Sequence, residues 1–441
     1  MFSNKDLRNL IVPFFLEQLL MALVGMADVF VVGLLGEAAV SGVSRINAFN
    51  MIFMNLFTAL AAGGAVVISQ YIGRKDNRRA GEAVSQLLLA AVLFSVAISV
   101  VVLLAKSTIL RFMFGRVEDD VMAACVTYLW ISAYSYPALA VYNAGAALYR
   151  SFGKTSTTMY LSIASNIINV VGNCIGVFWL HAGVAGVAWP SLLARMFSAV
   201  VITFFCFSEK NPVRYGKAWI FRLDGSLQKI ILRIAVPNGI ESGIFQLVKV
   251  ALSSVAALFG TYQIAANGVA QSIWSVASLV ASTMGPVFIT VIGQCMGAGD
   301  ISQTEQYFRK LTKITVGFAL LWNSLIFAAT PVLLRFYALE PQTKQLILIL
   351  VLLHNLFSAL AFPFADPLGK GLRAAGDVRF TTVTSLFTTI GVRLVFSILF
   401  AIVLHMGVVG IACAMCLDWV VRGVIFWLRF RQGKWKNYRV I

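Results

Sequence analysis

Gln70-Tyr71-Ile72-Gly73-Arg74-Lys75-Asp76 and Gln294-Cys295-Met296-Gly297-Ala298-Gly299-Asp300 agree at Gln, Gly and Asp and lie 224 positions apart (294 − 70). Outward from these stretches the same interval keeps returning. Pro13 and Glu17 recur as Pro237 and Glu241, and Gly36 recurs as Gly260. His181, Gly183 and Gly186 recur as His405, Gly407 and Gly410. A register held over that distance marks two copies of one unit of about 220 residues. In an apolar chain this is a usual build for a secondary transporter, with the substrate site between the halves.

Composition fixes the class. Hydrophobic residues make up 59% of the chain and charged ones 12%, and the mean hydropathy is +0.85. A helix crosses a bilayer with about 20 largely apolar residues. Twelve such stretches are expected, near 10–34, 48–72, 83–105, 122–148, 156–180, 184–207, 230–259, 265–295, 312–334, 345–369, 379–404 and 408–429. Long runs without ten-residue alternation exclude a membrane barrel, so the chain is all-α. The expected organisation is an N-terminal six-helix lobe over 1–207, a cytoplasmic linker over 208–229 and a C-terminal six-helix lobe over 230–441. A short polar start, Ser3 to Asn9, leads into the first span, with no cleavable signal expected.

A net charge of +17 would suggest nucleic acid in a soluble protein, but the location of the charge argues for a membrane topology. Numbering the spans alternately collects most basic residues on one side, including Arg74 to Arg79, Lys210 to Arg233 and Arg429 to Arg439. The other side holds Arg45, Lys106, Arg111, Arg116, Arg335 and Lys344. The positive-inside rule then puts both termini in the cytoplasm, in a multi-pass cell (inner) membrane protein. The acidic run Glu118 to Asp120 falls in an outer loop. Cys413-x-x-Cys416 has redox or metal spacing but no second pair, so buried thiols are the expectation.

Charges inside the spans carry the functional reading, because each costs at least ~2.5–3.5 kcal/mol at a helix centre. Glu17, Asp28, Glu241, Asp366 and Asp418 qualify among acids, and Arg195, Lys249, Arg393 and Arg422 among bases. Asp418 and Arg422 have the spacing of an internal ion pair. Glu17 and Asp28 are about three turns apart on one helix face, roughly 16 Å along the axis. Glu241 repeats Glu17, whereas Asp28 aligns with Leu252, so the halves are not expected to do identical work. In span 10, Pro363 and Pro367 flank Asp366 and bend the helix. Carbonyls freed beside a carboxylate suit a monovalent cation. An interval of 223 (373 − 150) aligns Arg150 with Arg373 and puts Asn143 opposite Asp366.

These residues resemble the multidrug and toxic compound extrusion (MATE) transporters, over nearly the whole chain. The resemblance rests on Ala27-Asp28 with Gly33-x-x-Gly36, on Gln70-x-x-Gly73 and its twin Gln294-x-x-Gly297, on Pro237-x-x-x-Glu241, and on Arg373-x-x-Gly376-Asp377. It implies two six-helix bundles around a central cavity, exporting cationic or amphipathic drugs and toxins in exchange for Na+ or H+. It also implies that Glu241, Asp366 and Asp28 couple the cation, with Glu241 and Asp366 as Na+ ligands if sodium is used. Asn169 and Asn173 resemble an Asn-x-x-x-Asp signature whose second position is here Asn, which does not ionise near neutral pH. Asp28 is then the main titratable candidate of the first lobe. Further candidate substrate contacts are Glu17, Asn143, Asn169, Asn173, Lys249, Gln271 and Trp274. Phe49, Phe53, Met54 and Met284 are candidate lining residues.

The exchange needs no covalent step. An acid in a dry cavity holds a proton or metal cation until a cationic substrate competes for it, and the two must favour different conformations. No nucleophile triad, metal-spaced His set or cofactor fingerprint is present, so the chain reads as a non-enzyme without a cofactor beyond the coupling ion. Its expected partners are a small cationic substrate and the lipid bilayer, with no nucleic acid, and a monomer encloses a complete site. A flippase of the same superfamily for a lipid-linked or anionic substrate is the alternative, with Lys249, Arg393 and Arg195 available to grip it. A channel would conduct without exchange, and a major-facilitator carrier is only loosely echoed by Gly73-Arg74-Lys75-Asp76.

Overall fold

Ser3 opens the first helix with a reciprocal cap: its Oγ accepts from the Asp6 N–H at 3.1 Å, and the Asp6 carboxylate accepts from the Ser3 N–H at 2.8 Å. The computed structural model describes residues 2–115, 118–337 and 339–441. Arg116, expected on the outer side, lies outside the described residues, among which there is no strand.

The first six long helices are α1 (Asn4–Gly33), α2 (Glu37–Gly73), α3 (Asn77–Phe114), α4 (Asp119–Ser151), α5 (Thr155–Cys174) and α6 (Ala185–Phe207). A short α7 (Lys217–Ile220) precedes α8 (Gly225–Ala256), α9 (Thr261–Ala277), α10 (Leu279–Gly297), α11 (Ile301–Leu333) and α12 (Pro341–Leu360). Then come α13 (Phe362–Ala365), α14 (Pro367–Ala374), α15 (Val378–Phe387), α16 (Val395–Ile398) and α17 (Gly407–Arg431). Among the described residues, eleven helical segments are long and apolar enough to cross a membrane. The remaining expected span, 122–148, folds as α4, which spends its first turn on Asp119 and Asp120. These acids belong to the helix and not to a loop, where they suit the positive end of its dipole.

Two compact units divide the chain, Phe2–Gly239 and Ile240–Ile441, with the boundary inside α8. In the first, α1 packs on α5, α2 and α3 pack on α4, and α4 and α5 pack on α6. In the second, α9 packs on α12, α10 on α11 and α14, and α12 and α13 on α17. Span 10 breaks at Ala361 and again at Asp366, giving α12, α13 and α14. Pro363 and Pro367 each remove an N–H from the ladder, and two of them within four residues interrupt the helix where the single prolines inside α1, α4 and α6 do not.

The repeat is visible in the backbone as well as in the residues. Gly36 and Gly260 precede α2 and α9 at φ 99° and 88°, a region costly for any residue with a Cβ. His181 and His405 adopt φ 47° and 55° in equivalent turns. Asp76 and Asp300 each cap the next helix, accepting from the N–H of Arg79 and Gln303 at 3.0 and 2.8 Å. Widened π turns occupy Ile175–Trp179 and Leu399–Val403, again 224 apart (399 − 175). Beside them Gly186 and Gly410 allow backbones to touch: a Cβ on Gly186 would lie 2.6 Å from the Gly176 carbonyl, and one on Gly410 would lie 2.6 Å from the Ala401 nitrogen.

The polar stretch after α6 is anchored to the first unit. Gln86 on α3 donates to the carbonyls of Trp219 and Arg222, both at 2.7 Å. It also accepts from the Asp224 N–H and the Gln228 amide, both at 3.1 Å.

Candidate functional site

Within the first unit, α1, α4, α5 and α6 surround a pocket of about 270 Å³. Asp28 lies on its wall with Asn169, Ser191, Arg195, Tyr142 and Met54. Spacing of four on α5 puts Asn169 and Asn173 on one face, and the structure links them: Asn173 Nδ2 donates to Asp28 Oδ1 at 2.7 Å and to Asn169 Oδ1 at 3.3 Å. Asn169 Nδ2 donates on to Ser191 Oγ at 2.8 Å. Across the pocket Arg195 donates to Ser135 Oγ at 2.6 Å. A half-buried carboxylate held by one neutral amide, itself held by a second, can take a proton, a metal ion or an organic cation.

Glu17 shares the Asp28 face, since both acids reach α5, yet it is fully buried and does not line the pocket. Its oxygens accept from Thr158 Oγ1 at 2.8 Å, Arg150 Nη2 at 3.0 Å and Tyr142 Oη at 3.2 Å. The second unit repeats the pair: Arg373 Nη2 donates to Glu241 Oε2 at 2.6 Å. Asp366 receives Lys370 Nζ at 2.8 Å from the next turn of α14. Glu241 and Asp366 therefore each hold a basic side chain already. Among the described residues no three His, Cys, Asp or Glu side chains converge as a metal site. Each of these acids is thus already neutralised through one carboxylate oxygen, which leaves neither with the net negative charge that Asp28 keeps.

A second pocket, of about 110 Å³, lies within the second unit. Lys249, Gln271 and Trp274 meet there, joined by Phe245, Asn267 and Arg393. The Arg393 guanidinium stacks on Phe245 at 4.8 Å, and its Nε lies 3.1 Å from Asp418. Asp418 also takes the expected bond from Arg422, at 2.8 and 3.1 Å.

The structure thus brings six of the sequence candidates together, in two groups of three. Asp28, Asn169 and Asn173 form one network, and Lys249, Gln271 and Trp274 line one pocket. Asn143 is half-buried on α4 beside Tyr142. Met54 lines the first pocket; Phe49 and Phe53 stack edge to face at 5.0 Å, and Phe53 packs on Tyr136. Met284 is fully buried, so it belongs to packing and not to a lining surface. Sequence reasoning missed Arg150 and Lys370 as partners of acids. The 223 interval aligns Arg150 with Arg373 without naming the acids they meet, and the i, i+4 spacing of Asp366 and Lys370 is the signal that could have found the other pair. Nothing in the sequence singles out Tyr142.

The family model MatE matches residues 13–175 and 237–399, two segments that start and end 224 positions apart (237 − 13). An uncharacterized transporter of Bacillus subtilis, YisQ, is 26% identical over 96% of this chain and 93% of its own length. A probable multidrug resistance protein, NorM, of Thermotoga maritima is 23% identical over 99% of this chain and 94% of its own. Among solved structures, the outward-facing conformation of a multidrug resistance MATE family transporter superposes with a TM-score of 0.91 at 19% identity, covering 97% of this chain and 95% of that one.

Proposed function

Since this chain belongs to the MatE family of multidrug and toxic compound extrusion transporters, we propose that it is a secondary antiporter that exports cationic or amphipathic small molecules in exchange for H+ or Na+. The observation that carries the reading is Asp28, a half-buried carboxylate on a pocket wall, held by Asn173 and facing no lysine or arginine at ion-pair distance among the described residues. Arg195, tied to Ser135, keeps positive charge close enough to ease release of the bound ion. A proton or Na+ on Asp28 and a cationic guest exclude each other, and exchange follows when the two favour opposite conformations of the transporter. The apolar wall supplied by Met21, Val24 and Leu139 accepts many shapes, which suits the resistance role named for the Thermotoga relative.

In this reading Glu241 and Asp366 hold α8 and α14 in place through Arg373 and Lys370, and coupling belongs to the first unit. Loop charge supports a cell-membrane protein with both termini in the cytoplasm, working as a monomer.

The test is efflux of a fluorescent organic cation from vesicles, with pH and Na+ gradients imposed separately. Asp28→Asn should lower the gradient-driven rate at least about tenfold, the equivalent of about 1.4 kcal/mol, whichever gradient drives it. Undiminished transport in that variant would sink the assignment.

A further inference from the structure

The two pockets occupy corresponding places in the two repeats. Met21, Gly25, Asp28, Asn169 and Ser191 line the first, and Phe245, Lys249, Leu252, Arg393 and Met415 line the second. Every one of these pairs is 224 positions apart (245 − 21). A pocket on the same scaffold is a site the duplication supplied twice. The charge on the two walls differs: Asp28 and Arg195 line the first pocket, whereas the second has Leu252 at the place of Asp28 and Lys249 and Arg393 at the places of Gly25 and Asn169.

Charge at the second pocket is in excess. Lys249, Arg393 and Arg422 stand against Asp418, the carboxylate that takes both arginines. Among the described residues no carboxylate lies at ion-pair distance from Lys249. Arg393 is 5% exposed, and its Nε makes no hydrogen bond, lying near Asp418 without alignment. Trp274 Nε1 at the same pocket is buried without a partner. A buried donor without an aligned hydrogen bond costs on the order of 1–3 kcal/mol, unless a ligand meets it. Asn267 and Gln271 add amide donors. Every unsatisfied group here is a donor, so the complementary occupant is an acceptor bearing negative charge.

We propose that the second-unit pocket binds the carboxylate or phosphate head of an organic anion through Lys249 and Arg393. Its volume of about 110 Å³ suits a head group and no whole drug, since drug-sized ligands fill roughly 300–1,000 Å³. Phe245 and Met415 at the wall then receive the apolar part next to the head. This site goes beyond the cation reading of the first unit and does not depend on it.

The experiment is equilibrium binding of dansyl-undecanoate to the purified full-length protein in phosphatidylcholine nanodiscs, followed by fluorescence anisotropy. The uncharged amide of the same probe controls for apolar binding. The wild type should prefer the carboxylate by about tenfold or more. Lys249→Gln should erase most of that preference and Lys249→Glu should invert it, while amide binding and thermal midpoint stay put. Lys249 is exposed, so both variants fold. Equal affinity for carboxylate and amide in the wild type would overturn the proposal, as would an unchanged carboxylate affinity in Lys249→Glu. Adding phosphatidylglycerol identifies the source: displacement of the probe upholds an anionic lipid head as occupant, and persistence upholds a free organic anion.

Discussion

Arg150→Met is the perturbation that most directly probes how this fold carries charge inside a membrane. Glu17 has 0% exposure of its side chain, and Arg150 has 21%. The pair is therefore lopsided. Removing the arginine strands a carboxylate that cannot reach water, left with only the Thr158 and Tyr142 hydroxyls. Removing the charge from Glu17 strands an arginine that is already partly hydrated and still stacked on Phe14 at 4.4 Å. Breaking a buried pair from one side costs about 3–5 kcal/mol in water-soluble proteins. Polar couplings inside membrane bundles average about 0.6 and reach about 1.7 kcal/mol. Because the orphan here is a full charge and no neutral amide, the expected cost of Arg150→Met is about 2–4 kcal/mol. For Glu17→Gln, which keeps the shape but turns one accepting oxygen into a donating amide, about 1 kcal/mol is expected.

The assay is unfolding in mixed micelles of rising SDS fraction, read by tryptophan fluorescence, on both single variants and the double. The double variant should be more stable than Arg150→Met alone, because it removes the stranded charge. The repeat supplies an internal control. Glu241 is 22% exposed, so its carboxylate can hydrate when Arg373 is lost, and Arg373→Met should cost less, about 1–2 kcal/mol. Equal midpoints for Arg150→Met and Glu17→Gln would refute the reasoning, as would a double variant weaker than Arg150→Met.

Gln86→Ala should free the segment that α3 anchors; limited trypsin digestion should cut at Lys217 and Arg222 at least about tenfold faster, following the loss of hydrogen bonds worth about 1 kcal/mol each. Asp224→Ala should cost about 1 kcal/mol by uncapping α8. Bonds from the Ser226 side chain and the Leu227 and Ser226 N–H groups hold the Asp224 carboxyl below its ordinary 3.8. That stabilisation is complete above the ordinary value and fades as pH falls through the lower folded one, so amide exchange at Ser226 and Leu227 should quicken only in strong acid. Gly410→Ala should cost about 1–3 kcal/mol in thermal unfolding through backbone overlap. Gly25→Ala, with nothing within 4 Å of its Cβ, should be neutral or stabilising by up to about 1 kcal/mol.

What the sequence disclosed and what it hid follow from one cause. Identical residues at a fixed interval mark positions where both copies need the same backbone, such as Gly36 with Gly260 or Asp76 with Asp300. Those positions revealed the duplication and the helix ends. Prolines at 363 and 367 disclosed the break in span 10, because a missing N–H is a local fact. Asp418 with Arg422 was legible for the same reason. Arg150 was not, since a basic residue at a helix end reads as loop charge until a distant helix brings Glu17 to it. The two pockets hid for a deeper reason. Their lining positions pair at the same interval, but the residues differ, and a search for identity passes over them.

Divergence at those positions explains why one scaffold can keep its frame while changing what it holds. The frame is made of pairs that neutralise each other: Glu17 with Arg150, joining α1 to α4, and Glu241 with Arg373, joining α8 to α14. Losing Arg150 leaves Glu17 where water cannot reach it, and losing Arg373 leaves a partly exposed Glu241 unpaired, so each loss carries a cost and the first the larger one. Pocket walls face no such constraint, because a ligand or water can satisfy what the wall presents. Asp28 could thus give way to Leu252 and Gly25 to Lys249 without unfolding the helix that carries them. Both changes move the second site toward positive charge, and Asn169 giving way to Arg393 moves it the same way. At neighbouring positions Ala194 pairs with Asp418 and Arg195 with Trp419, so there the second unit carries an added acid and lacks a base. The positive charge on the wall of the second pocket comes from Lys249 and Arg393, and it is at these two side chains that a negatively charged occupant would be held.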